Sequence, residues 1–271
     1  MRVSVPASSA NLGPGFDSLG LALTLPFIAS TEPGESLLQA DDRHPLVVAY
    51  QRAGGSRPLW WRSPIPPGRG LGFSGAARVA GALLGVEETG DAESEAQVRA
   101  RALELAIELE GHPDNAAASM LGGLTAAVGT TAVRVPLGAA LDVVVWWPTT
   151  VTSTRKARAA LPEMVPFVDA VFNVAHASVL VAALAAGDLD AIGEAMHDRL
   201  HQDLRLAMSP PSQEALDAMR AAGVVAAWLG GSGPTVACFV EPGDGLRVVA
   251  KLPTSGVARV LQIDDRGARF T

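Results

Sequence analysis

The stretch that most constrains how this chain can fold is its start, Val5-Pro6-Ala7-Ser8-Ser9-Ala10-Asn11-Leu12-Gly13-Pro14-Gly15-Phe16-Asp17-Ser18-Leu19-Gly20. Small residues dominate it, and two polar side chains, Asn11 and Asp17, flank a Gly-Pro-Gly turn. Such a turn lets backbone come close to whatever lies beside it, because glycine carries no Cβ. Asp17 then precedes the apolar run from Leu19 to Leu25, as a helix cap or a strand entry would. A tight turn between a first strand and the next element explains the glycines but not the whole string.

With 271 residues, 48% hydrophobic and 18% charged, the chain can bury a substantial core as one elaborate domain or two modest ones. A net charge of −7 argues against a nucleic-acid binder, which would need a basic face. It leaves nucleotide binding open, because backbone N–H groups and a metal ion can hold phosphates. The single cysteine, Cys238, lies in the apolar run Val236 to Val240 and reads as a buried structural thiol. No apolar run approaches a membrane span and no leader pattern opens the chain, so a cytoplasmic, membrane-free protein is expected. Lys156 and Lys251 are the only lysines, and no Gly-Lys-Ser/Thr sequence occurs, which rules out a Walker-type loop.

Along the chain, residues 2–7 read as a strand and 20–62 as short strand-like pieces, with a short helix over 45–53. Residues 63–70 form a loop, followed by a small-residue helix over 74–85. Asp91 is the expected cap of a helix over 92–110 that stops at Gly111, and another helix runs from Pro113-Asp114 to Gly122. Strands are expected at 124–128, 132–135, 141–147, 224–228, 234–240 and 257–263. Helices are expected at 155–160, 165–185, 188–200 and 212–222. Helices and strands without a strict βαβ rhythm point to α+β, with halves meeting near 136–140.

Several clusters carry chemistry. Pro66-Pro67-Gly68-Arg69-Gly70-Leu71-Gly72-Phe73-Ser74-Gly75 runs a glycine loop into a helix start. This aims backbone N–H groups and the positive helix end at one point, where a triphosphate fits; alone, a tightly packed turn fits as well. Glu108, Glu110, His112, Asp114 and Asn115 crowd into eight residues. Read singly, the glutamates are solvated, Asp114 caps a helix and His112 is a structural hydrogen bonder. Thr154 and Arg158 share a face if helical, and an arginine there can grip a carboxylate as a fork.

Taken together these segments resemble the homoserine kinases of the GHMP family of small-molecule kinases. The opening string resembles their N-terminal motif, and residues 66–76 resemble Pro-x-x-x-Gly-Leu-Gly-Ser-Ser-Ala, with Phe73 in place of the first serine. Glu110 to Asn115 match Glu-Gly-His-Pro-Asp-Asn, and Ser153 to Pro162 match Ser-Thr-x-x-Ala-Arg-x-x-Leu-Pro. Asp198 to Arg205 match Asp-x-x-His-Gln-x-x-Arg, and Gly230 to Val236 resemble the third GHMP motif. The resemblance implies an α+β GHMP kinase fold: an N-terminal domain of the ribosomal protein S5 type over 1–138 and a ferredoxin-like domain over 139–271. It implies ATP and Mg²⁺, with nucleotide at residues 66–75 and the metal at Ser74 and Glu110, Glu108 lying close behind. L-homoserine would meet Asn11, Asp17, His112, Asp114, Arg158, Arg205 and Gly233, with Asn115, Thr154 and Arg158 at the reacting end. Residues 41–48 resemble the adenine-side stretch, with His44 where asparagine is frequent. A homodimer is implied as well.

Asn115 cannot act as a base, so catalysis by positioning and charge neutralisation is expected, the hydroxyl proton passing to phosphate. Two alternatives stay open. One is a GHMP kinase for another small alcohol, against which the two arginines speak. The other is a silenced ligand-binding relative, with Phe73 as the sign of decay.

Overall fold

The computed structural model describes residues 1–150 and 154–271, leaving out the side chains of Thr154 and Arg155. The opening string becomes a hairpin. Strand β1 (Arg2–Ala10) runs back along β2 (Leu19–Ser30), antiparallel, with the Asn11–Ser18 turn between them. Asp17 therefore leads into a strand, and β2 is one long element rather than short pieces. Its far end pairs with β4 (Trp60–Arg62), which pairs with β3 (Leu38–Gln39). Its near end pairs with β5 (Leu124–Val128), which folds back on β6 (Thr131–Val135). β1 is buried from Val3 onward because α2 (Phe73–Thr89) and α4 (Asp114–Leu121) lie across it. Helices α1 (Pro45–Arg52) and α3 (Glu95–Glu110) pack on α2.

The second sheet shows how a period of two builds a three-layer half. Strand β7 (Asp142–Pro148) is buried on both faces. Val143, Val145 and Trp147 join the main core, while Val144 and Trp146 join a second cluster with Leu216, Met219 and Cys238. The chain continues through α5 (Thr154–Ala159), α6 (Phe167–Ala186), α7 (Leu189–Ala195), α8 (Gln202–Leu206) and α9 (Pro210–Ala221). It then adds β8 (Ala226–Leu229), β9 (Val236–Val240), α10 (Gly245–Val249) and β10 (Gly256–Leu261). The antiparallel order β10-β7-β9-β8 is the ferredoxin-like arrangement of a split βαβ. The last strand, β11 (Arg269–Phe270), returns to pair with β1 in the first sheet. Burial pushes the Cys238 thiol up to about 12, so it stays protonated and inert.

Some expectations are corrected. Ser94, not Asp91, caps α3, accepting from Gln97 N at 3.3 Å, and Gln97 reaches back to Glu93 N. The helix expected over 188–200 stops at Ala195, because Asp198 turns its carboxylate onto the N–H groups of Leu200, His201 and Gln202. Helices α8 and α10 and strand β11 are too short to leave a periodic signal. Helix α6 is long and apolar enough to cross a membrane by length and composition alone, although Asp169, Asn173 and His176 interrupt the run in sequence.

Candidate active site

Three glycine turns meet at one end of the first sheet. Gly231 N donates to Ala10 O at 3.0 Å, and Asn11 Nδ2 donates to Gly231 O at 2.9 Å. Asn11 sits at φ 75° and its Oδ1 accepts from Asp17 N, so both ends of its carboxamide hold the turn. The phosphate loop packs backbone against backbone on the 230–233 loop: a Cβ at Gly70 (φ +76°) would stand 2.4 Å from Gly230 O. A Cβ at Gly72 would strike Ser8 Oγ at 2.1 Å. Only glycine fits either place. Arg69 clamps the same loop to the second half, donating to Pro148 O and Thr149 O, while Thr235 donates to Arg69 O through N and Oγ1. Gly72 is the N-cap of α2 with no side-chain cap, so the first amides of a 17-residue helix face the cleft, the geometry of an anion site.

At the helix start Ser74 Oγ donates to Glu110 Oε1 at 2.5 Å. Arg78 Nη1, one turn further on, reaches the same oxygen at 2.6 Å. Glu110 lines the cleft, whereas Glu108 points to Arg52 on the surface. Hydroxyl and carboxylate side by side form a hard oxygen donor pair that suits Mg²⁺.

Phe73 is no loose intrusion. Its ring meets Phe27 and Trp61 edge-on, at 5.5 Å each, and His44 at 5.8 Å. Burial lowers the pKa of His44, whose Nδ1 accepts from Leu46 N and so caps α1. The aromatic ring has replaced a hydroxyl at the first turn of α2 with a packing contact to β2 and β4.

On the other side charged groups gather. His112 Nδ1 and Asp114 Oδ1 are 2.5 Å apart, and Asp114 also accepts from Asn115 N. Asn115 Oδ1 accepts from Ser8 Oγ at 2.9 Å, and its Nδ2 approaches Asp114. Arg158 Nη2 spans both oxygens of Asp17 at 2.7 and 2.8 Å. The ligand atoms of Asp17, His112 and Asp114 lie within 4.8 Å of one another. Arg205 is buried, donates to Gly231 O at 3.0 Å, and has an Nε with no partner. His201 Nε2–H donates to Gly13 O, which leaves Nδ1 as an acceptor for Arg205.

Burial pulls His112 down, but the hydrogen bond and charge of Asp114, with Glu110 and Asp17, outweigh it, so its pKa lies above the ordinary histidine value. Burial holds His201 below that value and thus neutral, against the charge of Asp198. Burial and then the charge of Arg158 press Arg205 down. Two guanidiniums facing one cleft favour an anion between them.

One cleft brings together Asn11, Asp17, Glu110, His112, Asp114, Asn115, Arg158 and Arg205 with Gly68, Arg69, Gly70, Gly72, Phe73 and Ser74 of the loop. Pro66, Pro67, Leu71, Gly75 and Gly233 lie outside its lining: Leu71 is core, and Gly75 packs on Asn115. The Thr154 side chain lies outside the described residues. Gly231 and Ser232 line the cleft in place of Gly233. Phe16 is a residue the sequence reading passed over. Its ring stacks on His201 and lies 5.5 and 5.0 Å from the guanidinium carbons of Arg158 and Arg205. Its place inside the opening motif was the available signal.

Known proteins agree with this geometry. The family model for the GHMP kinases N terminal domain matches residues 47–123, and that for GHMP kinases C terminal matches 180–258. The homoserine kinase of Moorella thermoacetica is 40% identical, covering 94% of this chain and 93% of that one. That of Thermus thermophilus is 38% identical over 93% and 90%. Among solved structures, a putative homoserine kinase from Listeria monocytogenes superposes with a TM-score of 0.79 at 29% identity, covering 99% of this chain and 98% of that one. The homoserine kinase of Cytophaga hutchinsonii shares the fold with a TM-score of 0.82 at 22% identity, over 99% and 96%. The chain belongs to the homoserine kinases of the GHMP kinase family.

Proposed function

We propose that the chain transfers the γ-phosphoryl group of ATP to the hydroxyl of L-homoserine, giving O-phospho-L-homoserine and ADP, a step toward threonine. The observation that carries this reading is the facing of Arg158 and Arg205 across Phe16, beside the Asp17–His112–Asp114 cluster and next to a phosphate loop. The guanidiniums suit a carboxylate, and the convergent acceptors suit an ammonium. Held by that end, the amino acid extends its hydroxyl toward Asn115 and the loop. The amides opening α2 and the Arg69 clamp hold the triphosphate. Ser74 and Glu110 are the residues that hold Mg²⁺, which when bound neutralises phosphate charge. Asn115, fixed by Ser8 and Asp114, orients the hydroxyl through hydrogen bonds but cannot take its proton. That proton passes to an oxygen of the transferred phosphoryl group as the new O–P bond forms and the bond to ADP breaks. Thr154 supports the same end. We place the enzyme in the cytosol as a homodimer.

ADP release with Mg²⁺ and a panel of L-homoserine, L-threonine, L-serine, pantoate and mevalonate tests the reading. Release with homoserine alone is expected. Release with another alcohol overturns the substrate, and ATP binding without release for any of them overturns the kinase.

A further inference from the structure

Helix α6 is built inside out. Its polar residues turn toward the molecule: Asp169 pairs with Arg199 at 3.2 Å, and Asn173 donates to Pro14 O and Asp198. His176 Nδ1 bonds Phe172 O on its own helix. Every fully exposed position of the helix is apolar except Ser178, and Ser178 turns its hydroxyl back to Val174 O at 2.7 Å. Phe167 is 84% exposed, Val168 64% and Val174 68%, with Met164 before the helix at 88%. These side chains and Val171 and Val179 form a continuous arc at helical spacing. Only four of the twenty residues of α6 are buried. A helix apolar on all sides is normally enclosed.

We propose that this arc is the contact between two copies of the chain, α6 against α6 about a two-fold axis. The proposal rests on the homodimer reading above and names its surface. The exposed apolar side chains present on the order of 700 Å², more than the roughly 300–600 Å² patch of a typical monomer and close to the ~800 Å² per partner of a standard interface. The face carries no charge, so it offers nothing for a charged partner to read, whereas an identical face is complementary to it by symmetry. Small residues at Ala175, Ser178 and Ala182 allow two helices to approach closely. A membrane fits less well, since the charges within and beside the helix are the acids Glu163, Asp169, Asp188 and Asp190, which anionic headgroups repel.

The test is sedimentation velocity over a broad dilution series on the wild type and on the double variant Val168→Glu/Val171→Glu. Both positions are exposed, and retained ADP release shows that the variant is folded. The wild type is expected to be a dimer, and the variant to raise the dissociation constant at least about 100-fold. As a second readout, Val171→Cys treated with a short bis-maleimide is expected to cross-link, while the wild type, whose only thiol is buried, does not. A monomeric wild type overturns the homodimer reading and this proposal together. A dimer that survives the double substitution and gives no Val171→Cys cross-link overturns the α6 surface alone. A monomer that floats with phosphatidylcholine vesicles assigns the arc to lipid instead.

Discussion

The two ends of the cleft are built from different materials. At the nucleotide end the work is done by backbone: amides at the start of α2, glycines that only close approach explains, and a loop pinned by Arg69 and Thr235. At the amino-acid end it is done by charged side chains drawn from Asp17, from His112 and Asp114, from Arg158 and from Arg205. Backbone donors survive a change of side chain, which is why the loop accommodates Phe73. Guanidiniums do not survive theirs. The first end should therefore be sensitive to shape and the second to charge.

The sharpest way to break this contrast is Arg205→Leu. Removing a buried partner of a charged ligand should cut kcat/KM for homoserine by roughly 10³-fold and leave ATP binding intact. Arg205→Lys should recover little, since an ammonium cannot form the fork. Equal loss of ATP affinity would show that the ends are not separable. Next comes Gly70→Ala, whose Cβ would collide with Gly230 O. ATP affinity measured by calorimetry should fall by about 100-fold, the size of effect expected for a strained, displaced loop, with homoserine binding retained.

A smaller effect separates the ends by pH. The pKa of His112 is raised in the folded chain, so its contribution to stability is complete below the unfolded value of about 6.5 and is lost as pH rises through the folded one. The Tm of the wild type should therefore fall relative to His112→Gln as pH rises from that point. A constant difference would remove the assigned charge pair. The smallest catalytic effect belongs to Phe73→Ser. It should change KM for ATP less than about threefold while costing roughly 1–3 kcal/mol in stability, because an aromatic contact is lost. A large gain in turnover would mean that the missing hydroxyl matters after all.

The sequence made the three glycine turns and the polar residues between them legible, because few structures need those residues in that order. It did not reveal Phe16. An aromatic ring in an apolar string reads as core, and its place between two guanidiniums depends on Arg158 and Arg205 arriving from the other half. Arg78 escaped for the same reason: its contact with Glu110 joins two helices. The cap of α3 was readable in Ser94 and Gln97, but Asp91 offered a competing signal three residues earlier. The pattern of α6 was recognised as a helix, yet periodicity cannot say which face turns outward when both are apolar.

The cluster around Phe73 also gives the phosphate loop an optical reporter. Trp61 lies nearly parallel to Phe27, 4.5 Å from His44 and edge-on to Phe73, and it remains partly open to water. Trp146, Trp147 and Trp228 are buried elsewhere, and the neighbouring Trp60 is absent from the ring cluster. An indole in that position emits according to what surrounds it. Closing of the loop on a triphosphate should thus register as a change in colour and quenching of one tryptophan, without any label attached.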